Sequence, residues 1–171
     1  MNTIYGVFKN IESADKAITK FAALDYDPKE ISLIVKEGTS TKTGQVTKGA
    51  GSGAVAGGLI GGVGALLVGI GAITITGLAP LLIAGPLALA LGISGAAAAT
   101  AEGAAAGVVG GGLIGALVGM GMPKETAEVY ESSVKKGEIL LAVPSKDGVS
   151  DEMVRKVFMD EGATDIYSLI V

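Results

Sequence analysis

The sequence predicts an α+β fold, a ferredoxin-like βαβ–βαβ module with a glycine-zipper helical hairpin inserted between its halves. Three observations lead there. Charge divides the chain sharply, with 29 of 30 charged side chains in residues 1–48 and 122–171 and only Glu102 between them. The two charged ends repeat one strand–helix–strand plan. The middle carries small residues every four positions.

The first end opens with Ile4-Tyr5-Gly6-Val7-Phe8, short, β-branched and aromatic, hence a strand. From Ile11 to Leu24, residues Ala14, Ala17, Ile18, Phe21 and Leu24 fall on one helical face. Asp27-Pro28 marks a turn, because the residue before proline resists the α region. Ile31-Ser32-Leu33-Ile34-Val35 is a second strand.

The other end follows suit. Pro123 suits the first turn of a helix running to about Lys136, and Ile139 to Val143 is a strand. Asp151 to Glu161 is a helix with Met153, Val154, Val157 and Phe158 inward, closed by Gly162. Ile166 to Val171 is the last strand. Ile4–Val35 and Ile139–Val171 therefore read as duplicates, each too small to hold a core alone. Residues 1–48 and 122–171 are expected to form one ferredoxin-like domain.

Residues 49–121 contain 22 Gly, 18 Ala and 25 Leu, Ile, Val or Met, and no aromatic residue, which is too apolar for a linker. Small residues recur at Gly49, Gly53, Gly57, Gly61, Ala65 and Gly69, and again at Gly95, Ala99, Gly103, Gly107, Gly111, Gly115 and Gly119. Four-residue spacing lines one helix face and lets another backbone approach closely. Gly57-Gly58-Leu59-Ile60-Gly61 nearly repeats as Gly111-Gly112-Leu113-Ile114-Gly115. Helices near 49–76 and 95–121 are expected, with a tip near 78–93 broken by Pro80, Gly85 and Pro86. Glycine costs about 1 kcal/mol per exposed helical position, so such helices need cover from lipid or protein.

Both halves of one domain lie on the same side of any membrane, so the predicted crossings number zero or two. Lysines at 36, 42, 48, 124, 135 and 136 would place both ends inside. Against insertion stands the missing belt of Trp and Tyr in 49–121. Glu102 is a possible buried charge, at a water-filled seam or paired with a neighbouring subunit.

The composition argues against several function classes. The chain has no Cys, His or Trp, which removes disulfides, the usual zinc, copper and haem ligands, and the commonest general base. A net charge of −4 with no basic stripe gives no footprint for nucleic acid. Lys48-Gly49-Ala50-Gly51-Ser52-Gly53 lacks the Gly-Lys-Ser/Thr ending of a phosphate loop. Asp151-Glu152 and Asp160-Glu161 lie at helix ends and form no catalytic dyad. No catalytic, cofactor or metal residue is assigned. Met1 to Lys9 shows no positive leader before an apolar run, so secretion is not expected.

The Tyr5-Gly6-Val7-Phe8 strand with its Ala-rich helix, the Gly/Ala middle, and Gly121 to Tyr130 leading to Gly137-Glu138-Ile139-Leu140-Leu141-Ala142-Val143 resemble the YflT-like general stress proteins of bacteria. The resemblance implies stress-linked expression and membrane association, without catalytic residues to carry over. The expected function is that of a membrane-associated stress or scaffold protein on the cytoplasmic face, self-associating through its zipper. The alternative is a soluble cytoplasmic homo-oligomer whose bundled hairpins enclose a chamber for a lipid or quinone.

Overall fold

The computed structural model describes residues 2–36, 38–41, 44–45, 73–75, 81–90 and 112–170. The chain is of the mixed α+β class that the sequence predicts. Strand β1 (Asn2–Phe8) leads to helix α1 (Ile11–Ala22), a 3-10 turn (Pro28–Glu30) and β2 (Ser32–Lys36). A two-residue ribbon follows, β3 (Ser40–Thr41) with β4 (Gly44–Gln45). Then come β5 (Ile73–Ile75), β6 (Leu81–Ala84), α2 (Pro86–Ala90), α3 (Gly112–Gly119) and α4 (Lys124–Lys135). Strand β7 (Ile139–Pro144), helix α5 (Asp151–Asp160) and β8 (Thr164–Ile170) complete the described residues.

Local chemistry sets the helix ends. The Asn10 side chain accepts from the Ser13 N–H at 2.9 Å, satisfying one orphan donor of α1. Ser150 does the same for Met153 at 3.3 Å, with Asp151 and Glu152 in the first turn of α5. Gly162 ends that helix at φ +80°, a conformation that favours glycine.

Among the described residues the main sheet has six strands in the order β5-β6-β2-β7-β1-β8, every neighbouring pair antiparallel. Strand β1 runs against β7, with Phe8 opposite Ile139 and Thr3 opposite Pro144. Within the run β2-β7-β1-β8, β1 and β7 are the inner strands and β2 and β8 the outer ones.

Alternation along the strands sends side chains to two separate cores. On one face Ile4, Phe8, Leu33, Leu141 and Val143 meet Ala14, Ile18 and Phe21 of α1 and Val154 and Phe158 of α5. Phe158 stands edge-on to both Phe8 and Phe21, centroids 5.5 Å away in each pair. On the other face Tyr5, Ile34, Leu140 and Ala142 meet Leu113, Leu117, Ala127, Tyr130 and Val134 of α3 and α4. Two helical layers therefore sandwich the sheet.

The middle of the chain departs from expectation. Ile73–Ile75, placed by the glycine spacing near the end of a helix over 49–76, is a strand. Leu81–Ala84, expected in the tip of a helical hairpin, is a buried strand running along β2, with Leu33 opposite Ala84 and Lys36 opposite Leu81. Of the helix expected over 95–121, the described part is Gly112–Gly119. A long helical hairpin is therefore not evident among the described residues. The physical reason lies at Gly85. Its φ of +87° turns the chain sharply, and a Cβ there would lie 2.1 Å from the Ile31 carbonyl oxygen. The turn brings the Leu87 N–H to the buried Ser32 hydroxyl at 2.9 Å, so α2 is anchored on β2.

Candidate interaction surface

Of the predicted helix-packing residues, Gly49, Gly53, Gly57, Gly61, Gly69, Gly103, Gly107 and Gly111 lie outside the described residues, as does Glu102. Gly115 and Gly119 are described, and both sit on α3.

Helix α3 is held from below. Leu113 and Leu117 are buried against the sheet, and Met122 tucks in after the turn at Gly121, where φ is +98°. Glu131 of α4 is the chief polar tie. Its carboxylate accepts from the Ile114 N–H in the first turn of α3 at 3.2 Å and also receives the Lys135 ammonium. A negative charge near a helix N-terminus is favourable, which accounts for an acid only 8% exposed.

Among the described residues, nothing covers the outer side of α3 at its two glycines. A Cβ at Gly115 or Gly119 would meet nothing within 4 Å, and Val118 beside them is 41% exposed. Among the described residues, nothing packs closely on these two glycines.

Beneath α3, two aromatic rings brace the layer. Tyr5 and Tyr130 stack with centroids 6.2 Å apart. Burial pushes the Tyr5 hydroxyl up to about 12, and burial likewise raises Tyr130, with a smaller contribution from the Asp165 carboxylate. The Tyr130 hydroxyl donates to the Asp165 carbonyl at 2.7 Å. The stripe Ala127, Tyr130, Glu131 and Val134 at helical spacing was the signal for a second buried helix face.

Two further polar regions complete the surface. An open cleft of about 590 Å³ lies between α4 and the start of β8, lined by Lys9, Glu125, Glu128, Ser132, Lys136 and Asp165 among others. Its charges are of both signs and converge on no point. At one end of the sheet, Asn2 and Ser145 both donate to the Asp151 carboxylate. Nearby, the Tyr26 hydroxyl donates to the Pro144 carbonyl at 2.8 Å, and the Lys146 ammonium sits 4.3 Å from the Tyr26 ring centre and 3.1 Å from Glu30. Most of these contacts join the first 30 residues to Pro144, Lys146 and Asp151. Among the described residues no three acids, histidines or cysteines cluster as a metal site would require.

No family model matches this chain, and neither a curated protein nor a solved structure is significantly similar to it. Among the described residues no helix is long and apolar enough to cross a membrane.

Proposed function

We propose that this chain is a non-enzymatic, self-associating scaffold. A ferredoxin-like module carries Gly/Ala-rich stretches that pack against those of other subunits. The strand order β2-β7-β1-β8 with α1 and α5 on one face supports the ferredoxin-like description. Strands β5 and β6, α2, and the α3–α4 layer are additions to it.

The observation that carries the reading is the placement of β5 and β6 in the sheet. It divides the glycine-rich middle into two stretches, each bounded at both ends by described elements. Twenty-seven residues, 46–72, lie between β4 and β5, and 21 residues, 91–111, between α2 and α3. One bilayer crossing takes about 20 apolar residues, so an excursion out and back takes about 40. Neither stretch has that length. Cover by protein therefore accounts for their composition better than a pair of membrane spans. The Gly115–Gly119 side of α3, which no described residue covers closely, extends the same small-residue spacing onto the folded body. Glu102 then belongs at a seam between subunits.

The resemblance to general stress proteins adds stress-linked expression to this reading. Lipid remains the second cover, either as a bilayer surface or as a lipid or quinone held within the assembly, because 73 successive residues carry a single charge. Light scattering in detergent-free buffer tests the proposal. A discrete multi-chain particle, unchanged by mild detergent, is expected. A particle that exists only with detergent, and sediments with membranes after alkaline carbonate washing, would replace this reading with insertion.

A further inference from the structure

The chain has seven aspartates and two asparagines, the residue types whose side chains can close on the next backbone nitrogen. In eight of the nine cases the next residue either carries a side chain that crowds its own N–H or is proline, which has no N–H. Only Asp147 precedes glycine, which has no Cβ to block the approach. The fold leaves this pair open. Asp147 and Gly148 form the tip of a turn between Lys146 and Val149, closed by the Val149 N–H on the Lys146 carbonyl at 3.1 Å. Among the described residues both are exposed, and a Cβ on Gly148, at φ +86°, would meet nothing within 4 Å. Among the described residues the Asp147 carboxylate has no partner and the Gly148 N–H no acceptor. The chain on either side is fixed. Lys146 reaches Glu30 at 3.1 Å and lies over the Tyr26 ring. Val149 is buried in the core beneath α1 and α5, Ser150 caps α5, and Asp151 receives Asn2 and Ser145.

We infer that Asp147-Gly148 is a site of spontaneous isoaspartate formation, and that the product loosens the start of α5. The Gly148 nitrogen attacks the side-chain carboxyl carbon of Asp147 in its protonated form. A C–N bond forms, the nitrogen gives up its proton and the carboxyl its hydroxyl, so one water leaves and a five-membered succinimide remains. Water then opens the ring at either carbonyl. Opening at the side-chain carbonyl restores aspartate. Opening at the main-chain carbonyl breaks the original peptide C–N bond, leaves that carbon as a free carboxylate and sends the backbone through the side chain. The water lost is regained, and no oxidant or cofactor takes part. The backbone of the turn is now one methylene longer. Lys146 is held by Glu30 and Tyr26, so the displacement falls on Val149 and Ser150, and through Ser150 on the cap of α5.

The test ages the full chain in warm neutral buffer. Labelled methyl transfer by an isoaspartate carboxyl methyltransferase counts the product, and peptide mass spectrometry places it. Label should accumulate with time on the peptide containing Asp147, preceded by a species one water lighter. Asp147→Glu, whose ring would have six members, should lose nearly all of it. Asp147→Asn, which expels ammonia more readily than aspartate expels water, should gain several-fold. Both changes lie at an exposed turn tip and leave the core untouched. In aged chain enriched in the product, the Met153 N–H, bonded to the Ser150 hydroxyl at 3.3 Å, should exchange several-fold faster than in fresh chain. Asp147→Glu aged alongside should show no such change. Label spread evenly over the other aspartates, or none at Asp147, overturns the site. Label at Asp147 with Met153 exchange unchanged overturns the effect on α5. Neither readout depends on particle mass, so the test stands apart from self-association.

Discussion

The hydroxyl of Tyr130 on α4 donates to the carbonyl of Asp165 at 2.7 Å, at the point where β8 bulges against β1. Asp165 there takes φ +50°, a left-handed conformation that aspartate tolerates better than most residues. The bond ties the outer helical layer to the edge strand across the sheet. Tyr130→Phe is expected to cost about 1 kcal/mol, the net worth of one intramolecular hydrogen bond. Asp165→Gly is expected to be neutral or stabilising by up to about 1 kcal/mol, because glycine reaches positive φ freely. Urea denaturation of both variants checks the pair.

Alkaline pH reads the same buried layer. Burial raises Tyr5 and Tyr130, and raises Tyr26 with help from the charges of Glu30 and Asp151; Tyr5 and Tyr26 reach about 12. An unfolded tyrosine titrates near 10, so above that pH the unfolded chain loses protons that the folded chain keeps. The stabilising contribution is intact below about 10 and is lost as pH rises toward 12. Stability should therefore fall through that window, and Tyr130→Phe should flatten the fall. Tyrosinate absorbance against pH, set beside urea midpoints, checks it.

Two glycines hold the sheet's shape. A Cβ at Gly85 would lie 2.1 Å from a backbone oxygen at φ +87°. Gly85→Ala is expected to cost more than about 2 kcal/mol and to release β6 from β2, since neither strain nor clash can relax locally. A Cβ at Gly6 would lie 2.8 Å from the Phe158 ring. Gly6→Ala should cost about 1–3 kcal/mol, partly recovered with Phe158→Leu, because a side chain can yield where a backbone cannot. Hydrogen exchange at 81–84 distinguishes local release from global unfolding.

The Glu131 carboxylate joins α3 to α4 through the Ile114 N–H. Glu131→Ala should cost about 1–2 kcal/mol by stripping an N-terminal acceptor from α3, and Glu131→Gln should cost less because an amide oxygen still accepts. Amide exchange at Ile114 should rise in the first variant more than in the second.

The charged ends were legible because each helix carries both a stripe and a stop. Ala14, Ala17, Ile18 and Phe21 line α1, and Gly162 closes α5. The strands β1, β2, β7 and β8 announced themselves by β-branched runs between turns. Leu81–Ala84 did not. A short apolar run reads alike as a buried strand or a helix segment, and its partner β2 is far away in sequence. Its flanking Pro80, Gly85 and Pro86 were punctuation for a strand, and the surrounding glycine spacing masked them. The Asp165 bulge left no sequence signal, since Gly6 that faces it is required by packing against Phe158 and not by its own backbone angle. Gly115 and Gly119 lie on α3, but which side of that helix the sheet takes is not decided by spacing alone.

The central claim is that the small-residue face of α3 and the Gly/Ala stretches drive self-association. The direct measurement is particle mass in detergent-free buffer for the natural chain and for Gly115→Leu with Gly119→Leu. No described residue lies within 4 Å of a Cβ at either position, so the double variant should fold at least as stably, each change favouring the helix by up to about 1 kcal/mol. The natural chain should run as a discrete multi-chain particle, and the variant should fall to a smaller one. A natural chain that runs as a 16.9 kDa monomer, or a variant whose particle is unchanged, would contradict the account.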